Sequence, residues 1–314
     1  MSNDAESSDV VVGYLGPAGT YTEQALLTQP DLAAAKHRLI GSIPQVLTAT
    51  ADGTVDRGFV AIENAIEGTV NVTLDTLAFD LDLLIQREVE MPISINLLAP
   101  PGTELGDIER LVSIPVAVAQ CRQFLSRELP DAELEAANST AEGARIVANR
   151  DDGVSATVGP ARTANVYGLD VLAAEIEDHP ENRTRFVTVA RQGIPAPTGH
   201  DKTSIVVYQR ADVPGSLLSI LQEFAARSIN LSKLESRPTK TQLGDYCFII
   251  DLDGHIADEV VGEALRETHM KQGGVKFLGS YPAAGPLEQE LRAEAGQAQS
   301  QADGWLRDLR AAIV

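Results

Sequence analysis

Beyond residue 203 the hydrophobic pattern makes the order of elements unusually readable. It reads strand 203–209, helix 215–227, strand 230–236, strand 245–252, helix 257–270 and strand 275–281. This βαββαβ order is the ferredoxin-like split unit. In its first helix Leu217, Ile220, Leu221 and Phe224 recur at i, i+3, i+4 and i+7, committing one face to the sheet, and Pro214 and Gly215 mark the helix start.

Upstream, from Val10 to Val189, short β-branched runs alternate with helical stretches, the sequence form of an α/β domain with crossover connections. Strands are expected at 10–15, 58–62, 93–98, 155–158 and 185–190. Between the two regions, 192–202 carries Gly193, Pro195, Pro197 and Gly199, a linker's composition. The expected organisation is an acidic tail over 1–9, an α/β domain over 10–191, the linker, a ferredoxin-like domain over 203–281 and a tail over 282–314. From Pro286 that tail is polar and rich in Ala and Gln. It ends with Trp305, Leu309 and Ile313 on one face, which reads as a docking helix or as disorder.

Charge narrows the function classes. Asp and Glu number 45 against 25 Lys and Arg, a formal net charge of −20. Neutralising phosphates needs a basic face, so nucleic acid is not an expected partner. An acidic surface poor in Lys reads as adaptation to high salt, where screening over about 3 Å at about 1 M removes self-repulsion; an ordinary acidic cytoplasmic protein is the alternative. The two cysteines, Cys121 and Cys247, are far apart and form no C-x-x-C pair, which speaks against disulfides or a thiolate metal site and for a reducing cytoplasm. The five histidines show no metal-ligand spacing. No apolar run has membrane-spanning length and the first nine residues lack the apolar core of an export signal, so no membrane partner is expected.

Several short motifs could carry chemistry. In the run from Gly16 to Ala25, Thr20 and Glu23 form a T-x-x-E capping box after a strand. Such a helix start can hold an anion, with Thr20 or Thr22 adding a hydroxyl, or it can be plain capping. Asn64, in Glu63-Asn64-Ala65, stands at the carboxyl end of a strand, where open α/β sheets place their ligands; an Asx-turn is the competing reading. Gln120 is a plausible polar reader, whereas Cys121 beside it reads as a small core residue. Ser139 and Glu142 make another capping box. In Glu181-Asn182-Arg183-Thr184-Arg185-Phe186 two cations flank a hydroxyl at a strand start, suggesting an anionic ligand or two surface ion pairs. Strand periodicity turns Thr184 and Arg185 to opposite faces unless the chain bends there.

Taken in order, the segments at Gly16, Ile62, Ser113, Ser139 and Asn182 resemble prephenate dehydratase across 10–190. The region from 203 resembles an ACT domain, with Asp212-Val213-Pro214-Gly215-Ser216-Leu217-Leu218 and Glu235-Ser236-Arg237-Pro238 where that family binds phenylalanine. The resemblance implies a bilobal catalytic domain similar to a type II periplasmic-binding-protein fold. Lobe 1 would span about 10–82 and 182–191, and lobe 2 about 83–181. It implies Thr184 as the catalytic residue and Thr20, Thr22, Asn64, Gln120, Ser139, Arg185 and Phe186 as substrate-binding. Phenylalanine would be held by Pro214, Gly215, Ser216, Leu217, Leu218, Glu235, Ser236, Arg237 and Pro238. A homodimer or homotetramer is implied as well.

Two departures stand out. Ser113-Ile114-Pro115 replaces the family's frequent S-H-P, so a histidine there is not required for the reaction. Ala65 replaces its Ser or Thr after Asn64. Because the substrate ring becomes aromatic as carboxylate and hydroxyl leave, no cofactor is expected. A threonine is a poor acid near neutrality, so Thr184 is expected to donate a hydrogen bond to the departing oxygen. Arogenate as substrate, or a non-catalytic amino-acid sensor, are the rival readings.

Overall fold

The structure, a computed structural model, describes residues 9–150, 152–210, 213–239 and 245–285, with 305, 310 and 311. The acidic segment 1–8, Asp212 and almost all of 286–314, including the expected docking helix or disorder, lie outside the described residues. No described helix is long and apolar enough to cross a membrane.

The chain begins with β1 (Val11–Leu15), α1 (Tyr21–Leu27), α2 (Pro30–Ala33), β2 (Lys36–Ile40) and α3 (Ile43–Ala51). β3 (Arg57–Asn64), β4 (Gly68–Thr69), α4 (Asn71–Asp75) and β5 (Leu84–Pro92) follow. A second group comprises β6 (Asn96–Ala99), β7 (Arg110–Ser113), α5 (Pro115–Ala119), α6 (Arg122–Glu128) and β8 (Glu133–Ala136). It continues with α7 (Thr140–Arg150), β9 (Ser155–Gly159), α8 (Ala161–Tyr167) and β10 (Asp170–Ala173), and β11 (Arg183–Ala190) closes the domain.

The first sheet runs β2-β1-β3-β11-β5, with β4 against β3; the second runs β10-β6-β9-β7-β8. β11 is antiparallel to both β3 and β5, so the chain leaves the first sheet, builds the second, and returns to wedge between two strands already made. This is the two-lobed α/β arrangement expected. The crossing point differs: β5 pairs with β11 from Leu84 to Pro92 and so belongs to lobe 1. The chain therefore crosses after Pro92 and not near Leu83. β5, which was not among the expected strands, is held by continuous backbone pairing with β11.

The C-terminal domain has the expected order: β12 (Asp201–Tyr208), α9 (Ser216–Ala225), β13 (Leu231–Pro238), β14 (Tyr246–Asp253), α10 (Glu259–Lys271) and β15 (Gly274–Pro282). Its sheet order is β13-β14-β12-β15. Period-two alternation sorts its side chains. Ile205, Val207, Ile250 and Leu252 face the helices through Ile220 and Phe224. Val206, Ile249, Leu278 and Tyr281 face the other way and share a core with Val60, Ile62, Ile85, Val187 and Val189 of lobe 1. Each such buried aliphatic side chain contributes about 1.5–3 kcal/mol, so the two domains are fused through a common core and are not merely tethered by residues 192–202. β15 passes so close to β5 that a Cβ on Gly279 would lie 2.3 Å from the Ile85 carbonyl oxygen. Only glycine fits there.

Candidate active site

Thr184 and Asn64 are paired residues on β11 and β3, at the end of the first sheet that meets the second lobe. Asn64 Nδ2 donates to Thr184 Oγ1 at 2.9 Å and lies 2.9 Å from Asn182 Oδ1, while its own Oδ1 accepts the backbone N–H groups of Ile66 and Glu67. The Asx-turn and the ligand-site readings of Asn64 are thus compatible: the turn fixes the amide, and the fixed amide orients a hydroxyl. From the second lobe, Gln120 accepts from Asn182 Nδ2 at 3.2 Å and donates to Glu67 Oε1 at 3.1 Å. Asn182 and Glu67 were not singled out by sequence reasoning. Asn182 lies inside the 181–186 motif and Glu67 three residues beyond Asn64, and Asn182, 1% exposed, is the junction of the network.

The Gly16-to-Ala25 turn is also built as expected. Thr20 caps α1 by accepting from the Glu23 N–H. Glu23 in turn accepts from Gly19 N at 2.7 Å, from Tyr14 at 3.0 Å and, across the lobes, from Arg162 Nε at 2.9 Å. Burial raises the Glu23 pKa, but the Arg162, Gly19 and Tyr14 donors outweigh it and hold the carboxyl below its usual range. Thr163 and Tyr167 of α8 bond the carbonyls of Gly19 and Ala18, so this turn is held by lobe 2 as well. Thr20 and Thr22 are both buried. Ser139 caps α7 through the Glu142 N–H at 3.0 Å, and no contact among the described residues places it beside Thr184.

Two expected substrate contacts are placed elsewhere. Arg185 points away from Thr184, as a strand period of two requires, into the seam with the C-terminal domain. There it donates to Glu63 at 3.0 Å, Asp251 at 2.7 Å and Tyr281 at 3.2 Å, and its Nε lies 2.6 Å from Glu88 Oε2. Burial opposes its charge, yet Asp251, Tyr281 and Glu88 keep its pKa well above the ordinary value. Phe186 is buried in the lobe 1 core, stacked on Phe59 with ring centroids 5.5 Å apart. Cys121 is buried with its thiol pushed up to about 12, by burial first and then by Asp178 and Glu177, as befits a core residue.

In the C-terminal domain a cavity of about 530 Å³ is lined by Gly215, Ser216, Leu217, Leu218, Ser236 and Phe248, among others. Gly215, at φ +89°, is the N-cap of α9. Pro214 and Pro238 stand outside this lining, as do Glu235 and Arg237, which reach to lobe 1: Glu235 to Thr69, and Arg237 to Asp75 and Asn71.

Comparison with known proteins gives two consecutive family matches, Prephenate dehydratase over residues 12–194 and ACT domain over 203–269. The prephenate dehydratase of Mycobacterium tuberculosis is 42% identical over 320 residues, covering 96% of this chain and 94% of that one. That of Mycolicibacterium vanbaalenii is 41% identical over 315 residues, covering 95% and 98%. Among solved structures, prephenate dehydratase from Arthrobacter aurescens in complex with L-Phe superposes with a TM-score of 0.82 at 39% identity, covering 95% of this chain and 100% of that one.

Proposed function

Because this chain belongs to the prephenate dehydratase family, we propose that it makes phenylpyruvate from prephenate at the Asn64–Asn182–Gln120–Thr184 cluster and answers to L-phenylalanine through its ACT domain. The observation that carries the site is the Asn64-to-Thr184 hydrogen bond. Because Asn64 donates to Thr184 Oγ1, the threonine's own proton is free to point at a ligand. In the reaction the bond from ring to carboxylate breaks and releases CO2, its electron pair enters the ring, and the opposite carbon–oxygen bond breaks. The oxygen departs with the pair and takes a proton from solvent to become water. Thr184 stabilises the growing charge on that oxygen by hydrogen bonding. Gln120 brings the second lobe onto the same cluster, so closing the cleft completes the site. With Arg185 engaged in the domain seam, Thr20 and Thr22 remain the groups for a substrate carboxylate.

L-Phenylalanine fits the cavity at Gly215 and Ser236: the glycine lets the backbone approach an amino acid, and the start of the ten-residue α9 favours its carboxylate. β13 is an edge strand with exposed Leu234, and Leu218 and Tyr246 nearby on the domain are exposed too, which supports a homodimer or homotetramer assembled through this domain. The two buried free cysteines suit a reducing cytoplasm.

The acidic excess supports a high-salt setting. In that case the melting temperature rises with KCl concentration; a flat dependence removes the reading.

The central experiment gives purified protein prephenate and follows phenylpyruvate by absorbance, with and without phenylalanine. Product that falls on adding phenylalanine supports both halves of the proposal. A folded protein that makes no phenylpyruvate from prephenate but releases phenylalanine and CO2 from arogenate redirects the substrate.

A further inference from the structure

β13 has two working faces. Ser236 opens onto the cavity, whereas Lys233, Glu235 and Arg237, at a spacing of two, face lobe 1. Arg237 Nη2 and Nε lie 2.6 and 3.1 Å from Asp75 Oδ1, and Nη1 lies 2.7 Å from Asn71 Oδ1. Glu235 accepts from Thr69 Oγ1 at 2.5 Å, and Lys233 Nζ lies 3.0 Å from Thr69 Oγ1 and 3.2 Å from Glu63 Oε1.

The gripped residues form one element. Glu63 pairs with Thr69 and Asn64 with Gly68 in the β3–β4 hairpin, and α4, which holds Asn71 and Asp75, follows directly. The tip of this hairpin carries Asn64, bonded to Thr184, and Glu67, bonded to Gln120 of the other lobe. A residue lining the regulatory cavity is therefore one backbone step from side chains that hold the element orienting the catalytic hydroxyl.

We infer that Glu235 and Arg237 are not phenylalanine ligands but a clamp on the 63–75 segment, through which occupancy of the cavity repositions Asn64 and Gln120. They are positioning residues. This rests on the reading that phenylalanine binds the cavity. For that occupancy to alter catalysis, the clamp must differ between the free and bound states, since a ligand shifts an equilibrium only by its differential affinity.

The test uses the full chain and two substitutions, Arg237→Gln and Asp75→Asn. Asp75 is in lobe 1 and outside the cavity lining, so its isosteric replacement weakens the clamp without touching a ligand. Phenylalanine binding is measured by equilibrium dialysis and inhibition by the phenylpyruvate assay, each variant against its own uninhibited rate. Allosteric couplings run about 5- to 150-fold, so the half-inhibiting concentration is expected to rise at least about tenfold while the dissociation constant stays within about threefold. Undisturbed inhibition in both variants, or loss of binding in step with loss of inhibition in Asp75→Asn, overturns the inference. If the wild type binds no phenylalanine, the reading of the cavity fails, and the clamp is judged by ligand-free hydrogen exchange instead. Faster exchange at the Ile66 and Glu67 amides in both variants supports it, and unchanged exchange overturns it.

Discussion

Asn64 and Thr184 meet in register across β3 and β11, and the 2.9 Å bond between Nδ2 and Oγ1 fixes which way the threonine hydroxyl can donate. Removing a donor to a developing oxyanion costs about 10²–10³ in rate. Thr184→Ala should lose that much in kcat, while Thr184→Ser retains substantial activity. Asn64→Ala should lower kcat more than it changes KM, because it frees the hydroxyl to turn and removes no carboxylate contact. Steady-state kinetics on the three variants check this. Equal activity in the Ala and Ser variants takes Thr184 out of the mechanism.

The seam around Arg185 should behave as a buried ion cluster. Removing one partner of such a pair costs about 3–5 kcal/mol because the other charge stays buried and uncompensated, so Arg185→Met should unfold at markedly lower denaturant. The effect depends on pH. Burial raises the Asp251 pKa, but Arg185, Ser204 and Lys202 outweigh it and leave the pKa lowered. A carboxyl lowered on folding contributes stability that is fully present above its unfolded pKa of about 3.9 and is lost as pH falls through the folded value. Wild type and variant should therefore differ most near neutrality and converge well below about pH 3.9. A gap that persists in acid would assign the cost to packing alone.

The C-terminal domain was legible to within about two residues at most element ends, because its helices are amphipathic and β12 and β14 carry the apolar runs Ile205-Val206-Val207 and Phe248-Ile249-Ile250. The first domain was less so. β2 (Lys-His-Arg-Leu-Ile), β8 (Glu-Leu-Glu-Ala) and β10 (Asp-Val-Leu-Ala) are short, mostly exposed edges whose polar residues mask any alternation. β5 hides its period because Glu88, a buried carboxylate, sits where an apolar residue is expected and is balanced by Arg185 and Lys202 from elsewhere in the chain. Of the proposed site, Asn64, Gln120 and Thr184 could be picked out by their motifs, and the structure brings the three into one hydrogen-bonded cluster. The placement of Arg185 and Phe186 depended on register and on a bulge between them, both set by tertiary pairing. The outward turn of Glu235 and Arg237 was readable in principle from their odd spacing around Ser236.

Burial makes both thiols poor nucleophiles. Burial foremost pushes the Cys121 thiol up to about 12 and the Cys247 thiol up to about 11. Since the thiolate is the reacting form, native protein near pH 8 should take up no Ellman's reagent, and two equivalents should react on unfolding. Cys121→Ala should remain active, which also tests that no covalent thiol step occurs. Rapid native-state labelling that Cys121→Ala abolishes would mean that lobe 2 opens around Cys121.

Glu23 and Arg162 join the two lobes, yet the two partners should not be equally costly to replace. Arg162 is 37% exposed, so its half of the pair is screened by solvent and Arg162→Ala should cost less than about 1 kcal/mol. Glu23 is buried and also accepts from Gly19 N and Tyr14, so Glu23→Ala leaves two further donors without that acceptor and should cost about 1–3 kcal/mol. Those same bonds hold the turn that presents Thr20 and Thr22. Glu23→Ala should consequently raise KM for prephenate more than it lowers kcat, whereas Arg162→Ala, which leaves the capping box intact, should do less of both. Denaturant unfolding and steady-state kinetics separate the two costs. If Arg162→Ala alone reproduces the full KM effect, closure of the lobes, and not the shape of the turn, sets how well the substrate carboxylate is held.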